Sequence, residues 1–337
     1  MSKILISGGT GYIGSHTIVQ LLESGYEVIS IDNYLNSSPT AISGIEKITN
    51  KQLKNYDVDL CDMEKTSKIF NEHPDIVGII HFAALKAVGE SVEKPVWYYR
   101  NNLNSLLNLL ECCIKYEIPN FIFSSSCSVY GNITDLPVTE DSPLSAAESP
   151  YAHTKQVGED MVRQVLKNAK TQSIILRYFN PAGAHPSGLL GESPIYAALS
   201  LVPIIAEVGN GKRPELTVHG DDYQTRDGSC IRDYIHIVDL ADAHIQALDF
   251  LIAGKQEDHN EIFNLGIGKG VTVLEAIDAF EKVSGTKLNY KIGPRRVGDV
   301  VAVYADYSKA KELLGWEPKY NIQDIMSTAW EWEKNKA

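Results

Sequence analysis

The sequence predicts an α/β chain, with a parallel sheet covered by helices on both faces and a smaller C-terminal α/β lobe. Three observations predict it. Short apolar runs at 3–7, 27–32, 76–82, 120–125 and 173–179 alternate with stretches of helical periodicity. A glycine turn, Gly8-Gly9-Thr10-Gly11-Tyr12-Ile13-Gly14, separates the first run from the first helical stretch. After Asn180-Pro181-Ala182-Gly183 the alternation weakens, and Pro186, Gly188, Gly191 and Pro194 mark a crossing into other architecture.

Taken in order, Lys3 to Ser7 is the first core strand, and residues 12–24 form a helix that Gly25 stops. Glu27 to Asp32 is the second strand. Strand, glycine turn, helix, strand is half of a Rossmann-type nucleotide fold. A helix from about Val96 to Tyr116 lies between the strands at 76–82 and 120–125, and Pro119 marks its end. Gly131 to Glu148 is polar and turn-rich. Ser149 is suited to cap the next helix, and Pro150 to its first turn, where a missing N–H costs nothing. Residues 235–253 read as a helix returning to the main sheet, and short helices are expected at 272–284 and 308–314. The division expected is a dinucleotide domain over 1–180, with a returning segment at about 232–265, and a lobe for the substrate over 181–337. A second glycine run, Gly266-Ile267-Gly268-Lys269-Gly270, lacks an acidic partner on a following strand and reads as a turn in the smaller lobe.

The 337 residues carry 43 acids against 31 bases, a formal charge of -12. Nucleic acid and anionic membranes are therefore disfavoured as partners, although local Arg and Lys can still hold an anionic small molecule. No apolar run approaches the length of a membrane span, and the start enters a glycine loop too early for a secretory leader. Five cysteines, an odd number without zinc-type spacing, point to a reducing cytoplasm. His81, His236 and His244 sit in apolar or helical stretches and read as packed residues; no metal site is expected. Trp316, Trp330 and Trp332 likewise read as packing residues.

In the first turn, Gly8 can end the strand tightly, Gly11 lets backbone approach a pyrophosphate, and Gly14 lets the helix pack closely. The free N–H groups of the helix then face the phosphates. Asp32 stands 21 residues after Gly11 at the end of the second strand. Its carboxylate can accept from an adenosine ribose and would repel a 2′-phosphate, which favours NAD over NADP.

Tyr151 and Lys155 lie four apart in Ser149-Pro150-Tyr151-Ala152-His153-Thr154-Lys155 and share one helix face. An ammonium beside a phenol favours phenolate. Bringing a tyrosine from its ordinary pKa to about 7 needs roughly 4 kcal/mol, for which Lys155 and a positively charged nicotinamide are the expected sources. Such a phenolate can take a hydroxyl proton while hydride leaves the same carbon. Ser126 closes Ser124-Ser125-Ser126 at a strand end, where open α/β sites form, and can hold or relay that proton.

The ordered strings GGTGYIGSH (8–16), HFAALKAVGESVEKP (81–95), SSSCSVYG (124–131), SPYAHTK (149–155), RYFNPAGAHPSG (177–188), RDYIHIVDLADAH (232–244), FNLGIGKG (263–270) and RRVGDV (295–300) span the whole chain. In them the chain resembles the sugar-nucleotide 4-epimerases of the extended short-chain dehydrogenase/reductase family. The resemblance implies Tyr151 as general base and acid, Lys155 as its electrostatic partner and Ser126 as helper hydroxyl. It implies NAD contacts from Gly8, Gly11, Tyr12, Ile13, Gly14, Asp32, Asn33, Asn36, Ser37, Asp59 and Leu60. Further NAD contacts are implied from Phe82, Ala83, Lys86, Asn101, Ser124, Tyr151, Lys155, Tyr178 and Phe179. For the substrate it implies Lys86, Ser126, Tyr151, Asn180, Ser200, Leu201, Leu216, His219, Arg232, Arg295, Asp299 and Val303. Asn180 would meet the diphosphate region, Arg232 and Arg295 would neutralise phosphate, and Asp299 would hold the nucleotide ribose.

The activity implied is interconversion of UDP-galactose and UDP-glucose by oxidation at C4, rotation of the keto sugar and re-reduction on a tightly held NAD that is regenerated each cycle. A homodimer is implied as well. The alternatives are an NAD-dependent nucleotide-sugar dehydrogenase, an epimerase working mainly on the N-acetylated pair UDP-GalNAc and UDP-GlcNAc, and a binding module without chemistry. A 4,6-dehydratase would need an acidic pair after the serine turn, where this chain has Cys127-Ser128. The chain ends too soon for a fused mutarotase domain. Three positions depart from the family pattern. Leu199-Ser200 replaces a pair of asparagines, His219 replaces an aromatic beside uracil, and Val303 stands where tyrosine restricts and cysteine or serine opens the sugar C2 pocket. Valine is expected to leave room for some N-acetylated substrate.

Overall fold

The computed structural model describes residues 2–195, 197–296 and 299–336. Seven strands build the main sheet: β1 (Lys3–Ser7), β2 (Glu27–Ile31), β3 (Lys54–Tyr56), β4 (Ile76–His81), β5 (Asn120–Ser126), β6 (Gln172–Tyr178) and β11 (Asn260–Leu265). They lie in the order β11-β6-β5-β4-β1-β2-β3, all parallel. Strand order reverses between β1 and β4, which opens a crevice beyond their carboxyl ends.

Both faces of this sheet are buried, so its strands are apolar throughout. Ile4, Ile6, Ile80, Ile122, Ile174 and Leu176 face one core, whereas Leu5, Ile79, Phe121, Phe123 and Ile175 face the other. Each such side chain contributes about 1.5–3 kcal/mol by leaving water. The first core is covered by α1 (Tyr12–Glu23), α2 (Thr40–Thr49) and α8 (Ile237–Ile252), the second by α3 (Met63–Glu72), α5 (Pro95–Lys115) and α6 (Pro150–Leu166). A short α4 (Val88–Glu93) precedes α5.

The α6 start follows its sequence signals. The Ser149 hydroxyl accepts from the Ala152 N–H at 3.1 Å, and Pro150 occupies the first turn. Gly158 lets α6 lie hard against β5, since a Cβ there would come within 2.7 Å of the Phe123 ring.

The rest of the chain forms small sheets around a separate core. β7 (Asn180–Ala182) pairs with β10 (Tyr234–His236), and β8 (Leu216–His219) with β13 (Tyr290–Gly293). β9 (Ile231–Arg232) lies between β12 (Val271–Thr272) and β14 (Ala302–Val303). The helices α7 (Leu201–Gly209), α9 (Val273–Ser284) and α10 (Ile322–Asn335) enclose Val202, Ile205, Phe280, Ile325 and Met326.

The glycine run 266–270 is a turn that leads from β11 at the edge of the main sheet to β12 of a small sheet. Two differences from the sequence reading concern this region. The helix expected at 308–314 narrows to a π-type turn over Ala310–Leu314. Helix α10 was not expected, although its Asn321/Asp324 capping box is visible in the sequence. Trp316 is buried, Trp330 packs edge-on against Phe280, and the Trp332 indole donates to the Glu192 carbonyl at 3.0 Å. No helix among the described residues is long and apolar enough to cross a membrane.

Candidate active site

The crevice between β1 and β4 is built by glycine. Gly8 has φ +72°, and a Cβ on it would lie 2.7 Å from the Ala83 nitrogen, so the turn touches the loop after β4 backbone to backbone. A Cβ on Gly14 would sit 2.2 Å from the Gly8 carbonyl oxygen, which closes α1 onto the turn. At Gly11 a Cβ would meet, among the described residues, only that same oxygen, at 3.1 Å, so its outer side is open to them. Helix α1 has no side-chain cap and no acid in its first turn. Its N-terminal N–H groups are therefore left for an anion.

Asp32 stands directly after β2. Its carboxylate accepts from the Thr10 N–H at 3.1 Å, the Tyr34 N–H at 2.9 Å and the Ser37 hydroxyl at 2.9 Å. The Thr10 and Ser37 hydroxyls are 2.7 Å apart. These donors aim the carboxylate across the glycine turn and leave part of its acceptor capacity for a ribose. Thr10 was missed by the sequence reading because it sits among the glycines and contributes through its backbone.

The remaining cofactor candidates fall into two groups. Asn33 accepts from the Leu35 N–H at 3.1 Å, Asp59 accepts from the Cys61 N–H at 2.9 Å, and the Leu60 carbonyl accepts from Asn108 at 2.7 Å, so these shape the loops after β2 and β3. Asn36 is exposed. Phe82 packs on the His244 ring with centroids 4.8 Å apart, Ile13 packs against the first core, and Phe179 is buried beside Val303. Asn101 donates to Asn102, which ties Leu85 to Thr154. The Tyr12 hydroxyl donates to the Gly183 carbonyl at 2.6 Å, and Lys86 pairs with Glu192 at 3.1 Å. Both contacts join the nucleotide side of the crevice to the segment after β7.

Catalytic candidates meet at the end of β5. Lys155 is buried, and its Nζ donates to the Ser124 carbonyl at 2.6 Å, 5.1 Å from the Phe123 ring centre. The Ser124 hydroxyl bonds the Tyr178 hydroxyl. Ser126 accepts from the Ser128 N–H at 3.2 Å, capping the 3-10 turn Cys127–Tyr130. Tyr151 lies on the first turn of α6, with its phenol in hydrogen-bond reach of Ser126.

Burial pushes the Tyr151 phenol up to about 12, with the Ser126 hydroxyl pulling the other way. Burial also brings Lys155 down to about 8, against the pull of Glu159. The chain alone thus favours neutral phenol, because burial disfavours the charged form of both groups. Reaching a phenolate at neutral pH from about 12 takes about 7 kcal/mol. A bound NAD would bring the positive charge of its nicotinamide, which the chain itself does not provide.

Just past the end of β6, Asn180 has a buried side-chain oxygen with no partner among the described residues. An orphaned buried acceptor is costly unless a ligand donor reaches it. Arg232 donates to the carbonyls of Ile231 at 2.8 Å and Val300 at 2.7 Å, and pairs with Asp299 at 3.3 Å. Val303 is in register with Arg232 and packs in the cluster of Tyr130 and Phe179, with Cys127 against it. The structure therefore brings Arg232, Asp299 and Val303 next to the turn that follows Ser126.

The other substrate candidates are not gathered there. Arg295 turns to the surface, donating to Asp222 at 2.7 Å and lying 4.1 Å over the Tyr223 ring. His219 meets the Pro294 carbonyl at 3.3 Å. Leu216 is buried in the core of the smaller lobe, against which Leu201 also packs, and Ser200 is exposed at the start of α7 without a capping bond. Val297 and Gly298 of the string RRVGDV lie outside the described residues.

Two acids of this region were not singled out from sequence. Asp233 accepts from the N–H groups of Ile267 at 2.8 Å, Gly268 at 3.2 Å and Ala305 at 3.0 Å, which explains the second glycine run as a structural clasp. Glu159 is fully buried beside Arg177. His81 bonds Ser7 at 2.6 Å, His236 bonds Thr328 at 3.0 Å, and His244 bonds the Leu240 carbonyl at 2.8 Å.

A parallel sheet with a glycine turn at its switch point, and a serine, tyrosine and lysine converging beyond β5, define an extended short-chain dehydrogenase/reductase. The family model described as GDP-mannose 4,6 dehydratase matches residues 5–329. The chain is 46% identical over 333 residues to the UDP-glucose 4-epimerase of Bacillus subtilis, covering 98% of this chain and 97% of that one. The crystal structure of UDP-glucose 4-epimerase from Bifidobacterium longum in complex with NAD+ and UDP is similar at 45% identity and a TM-score of 0.94, covering 99% of this chain and 98% of that one. The enzyme from Stenotrophomonas maltophila with NAD and formylated UDP-arabinopyranose is similar at 38% identity and a TM-score of 0.95, with coverage of 99% and 98%. The chain belongs to the UDP-glucose 4-epimerase family.

Proposed function

We propose that this enzyme interconverts UDP-galactose and UDP-glucose at C4. One observation carries the assignment of roles: a buried Lys155 tethered to Ser124 at the end of β5, one helical turn from Tyr151, with the neighbouring β6 leading to Asn180, whose buried side-chain oxygen has no partner among the described residues. Tyr151 removes the C4 hydroxyl proton and later returns it to the keto sugar. Lys155 stabilises the phenolate, and Ser126 bridges phenol and sugar oxygen. NAD, when bound by the glycine turn, α1 and Asp32, supplies the acceptor and donor for the C4 hydrogen. Arg232, Arg295 and Asn180 hold the nucleotide diphosphate, and Asp299 holds the ribose. The hexose is left with few grips, because strong contacts to one face would stabilise one presentation against the other.

We assign cofactor holding to 1–180 with the returning segment at about 232–265, and the nucleotide sugar mainly to 181–337. Val303 leaves more room at the sugar C2 position than a tyrosine would, which favours some turnover of UDP-GalNAc and UDP-GlcNAc. We also infer a cytoplasmic homodimer. Five free cysteines suit a reducing compartment, and α5 exposes Val96, Leu107 and Ile114 along its outer side, an apolar stripe that a second copy would cover.

The test is to purify the protein without added cofactor and supply UDP-galactose. UDP-glucose should form without stoichiometric reduced dinucleotide. A requirement for external NAD with accumulating reduced cofactor would establish net dehydrogenation instead. An unchanged sugar would leave only binding. Tyr151→Phe should lower turnover by roughly 10²–10⁴-fold while the protein keeps its fold and bound nucleotide.

A further inference from the structure

We propose that Glu159, clamped by Arg177 and Ser125, is a positioning residue that keeps Lys155 charged and fixed at the reacting end of β5; this deepens, and rests on, the roles assigned above to Tyr151 and Lys155. Glu159 lies one turn after Lys155 on the same face of α6 and is fully buried. Arg177 grips it bidentately, Nε to one carboxylate oxygen at 2.8 Å and Nη2 to the other at 2.6 Å. The Ser125 hydroxyl donates to the first of these oxygens at 2.6 Å. Arg177 also donates to the Tyr130 hydroxyl at 3.0 Å, and Tyr130 to Asn264 at 2.6 Å.

One carboxylate thereby ties α6 to β5 and β6, and through Arg177 to the turn after Ser126. Each tie is a chain neighbour of a reacting group. Ser125 lies between Ser124 and Ser126, Arg177 precedes Tyr178, and Glu159 follows Lys155 by a turn. A buried ion pair is a poor source of net stability, so holding a register is the better account of this one.

The electrostatics agree with the geometry. Burial weakens the Lys155 ammonium, and the Glu159 carboxylate opposes that loss. The other titratable groups around Lys155 do not supply this. From β4 comes His81, buried and neutral. From β6 come Arg177 and the phenol of Tyr178. The turn after β5 contributes Cys127 and Tyr130, both held protonated by burial. Tyr98 of α5 bonds Glu90 of α4, and Glu90 pairs with exposed Lys94. Tyr99 bonds His153 at 2.9 Å on the outer side of α6. Glu159 is the buried anion of the set.

The test is the pH–rate profile of the whole purified enzyme with UDP-galactose, beside its bound-NAD content and thermal midpoint. An inactive wild type would overturn the proposed function and, with it, the role of Lys155 on which this inference rests. With an active wild type, Glu159→Gln should move the alkaline limb, where the ammonium is lost, down by about one pH unit. Its kcat should fall far more than its KM rises. Glu159→Asp keeps the charge, so its alkaline limb should stay in place although its rate falls. The double variant Glu159→Gln/Arg177→Met removes both charges together, which a core tolerates better than removal of one. It carries the measurement should the single variant not fold, and its limb should move in the same direction by less. An alkaline limb that stays at the wild-type pH in the Gln and double variants overturns the proposal, whatever the rate. Failure of both to fold overturns it too, because the pair would then serve the fold and not the lysine.

Discussion

Asp32 and Arg295 are both candidates for gripping a nucleotide, and their surroundings differ sharply. Asp32 receives two backbone N–H groups and one hydroxyl, all from the same crevice, and its position is fixed before any ribose arrives. Arg295 instead commits its guanidinium to an exposed Asp222 and to the Tyr223 ring. The contrast extends outward from each residue. Long parallel strands and close glycine contacts define the cofactor side, whereas β9, β12 and β14 on the nucleotide-sugar side are two residues each. A cofactor regenerated each cycle benefits from a site organised in advance, since ordering costs are then met in folding. A sugar that must present both faces benefits from the opposite.

The sharpest way to break this contrast is Gly14→Ala. The new Cβ would have to displace the Gly8 carbonyl, a backbone atom 2.2 Å away that has no rotamer to move. Destabilisation of about 1–3 kcal/mol and purification largely without NAD are expected, measured by thermal melting and by the dinucleotide released on acid treatment. Retention of full NAD content would show that the glycine turn is not the organised element claimed.

Acid should expose the same asymmetry. Burial holds His16 and His81 down at about 3 and His236 and His244 at about 4. Their folded values lie below the unfolded value near 6.5, so the unfolded chain binds the extra protons. Stability is therefore fully present above about pH 6.5 and is lost as pH falls toward 4, by about 3 kcal/mol per histidine. Asp233 and Asp239, raised by burial to about 6, work in the opposite sense, since protonation below 6 relieves them. Four losses against two smaller gains leave a net decline. Three of the histidines belong to α1, β4 and α8, so hydrogen exchange at pH 5 should loosen the main sheet and its helices first. A thermal midpoint that is flat from pH 7 to 4.5 would contradict this.

What could be read from sequence follows the same line. The glycine turn, Asp32 and the Ser149–Lys155 helix start are local in sequence, and each carries its chemistry in residue type and spacing. Helices α2 and α3 and the three-residue β3 escaped because a short strand has no measurable period and their helices bury only two or three residues each. The Glu159–Arg177 pair needs β6 brought beside α6, and no spacing within the chain reveals that. The burial of Tyr151 is hidden from sequence for a related reason. Phenol and ammonium were visible as neighbours, but the burial that raises the one and lowers the other is a property of the assembled crevice. Asn180 shows the reverse case: the resemblance names it from sequence, whereas its buried side-chain oxygen, without a partner among the described residues, is seen only in the fold.

Between the two arginines the comparison can be sharpened further. Arg232 is half-buried and held by two carbonyls as well as Asp299, so Arg232→Met should raise the KM for UDP-galactose by roughly 10–100-fold, the worth of a charge-assisted hydrogen bond, with bound NAD unaffected. Arg295→Lys is the smallest effect expected. Its partner Asp222 is exposed, and pairs of that kind contribute about 0–1 kcal/mol. To reach a diphosphate the guanidinium must first leave that carboxylate and the Tyr223 ring, which offsets part of what it gains. Lysine keeps the charge and loses the planar fork and the stacking on Tyr223. A KM rise of roughly 2–5-fold at low salt, shrinking as salt screens the charge, is therefore expected from steady-state kinetics. A rise as large as that of Arg232→Met would mean that Arg295 swings in and becomes fully enclosed on the nucleotide, and the looser half of the site would then be organised by its ligand to the same degree that the cofactor half is organised by its chain.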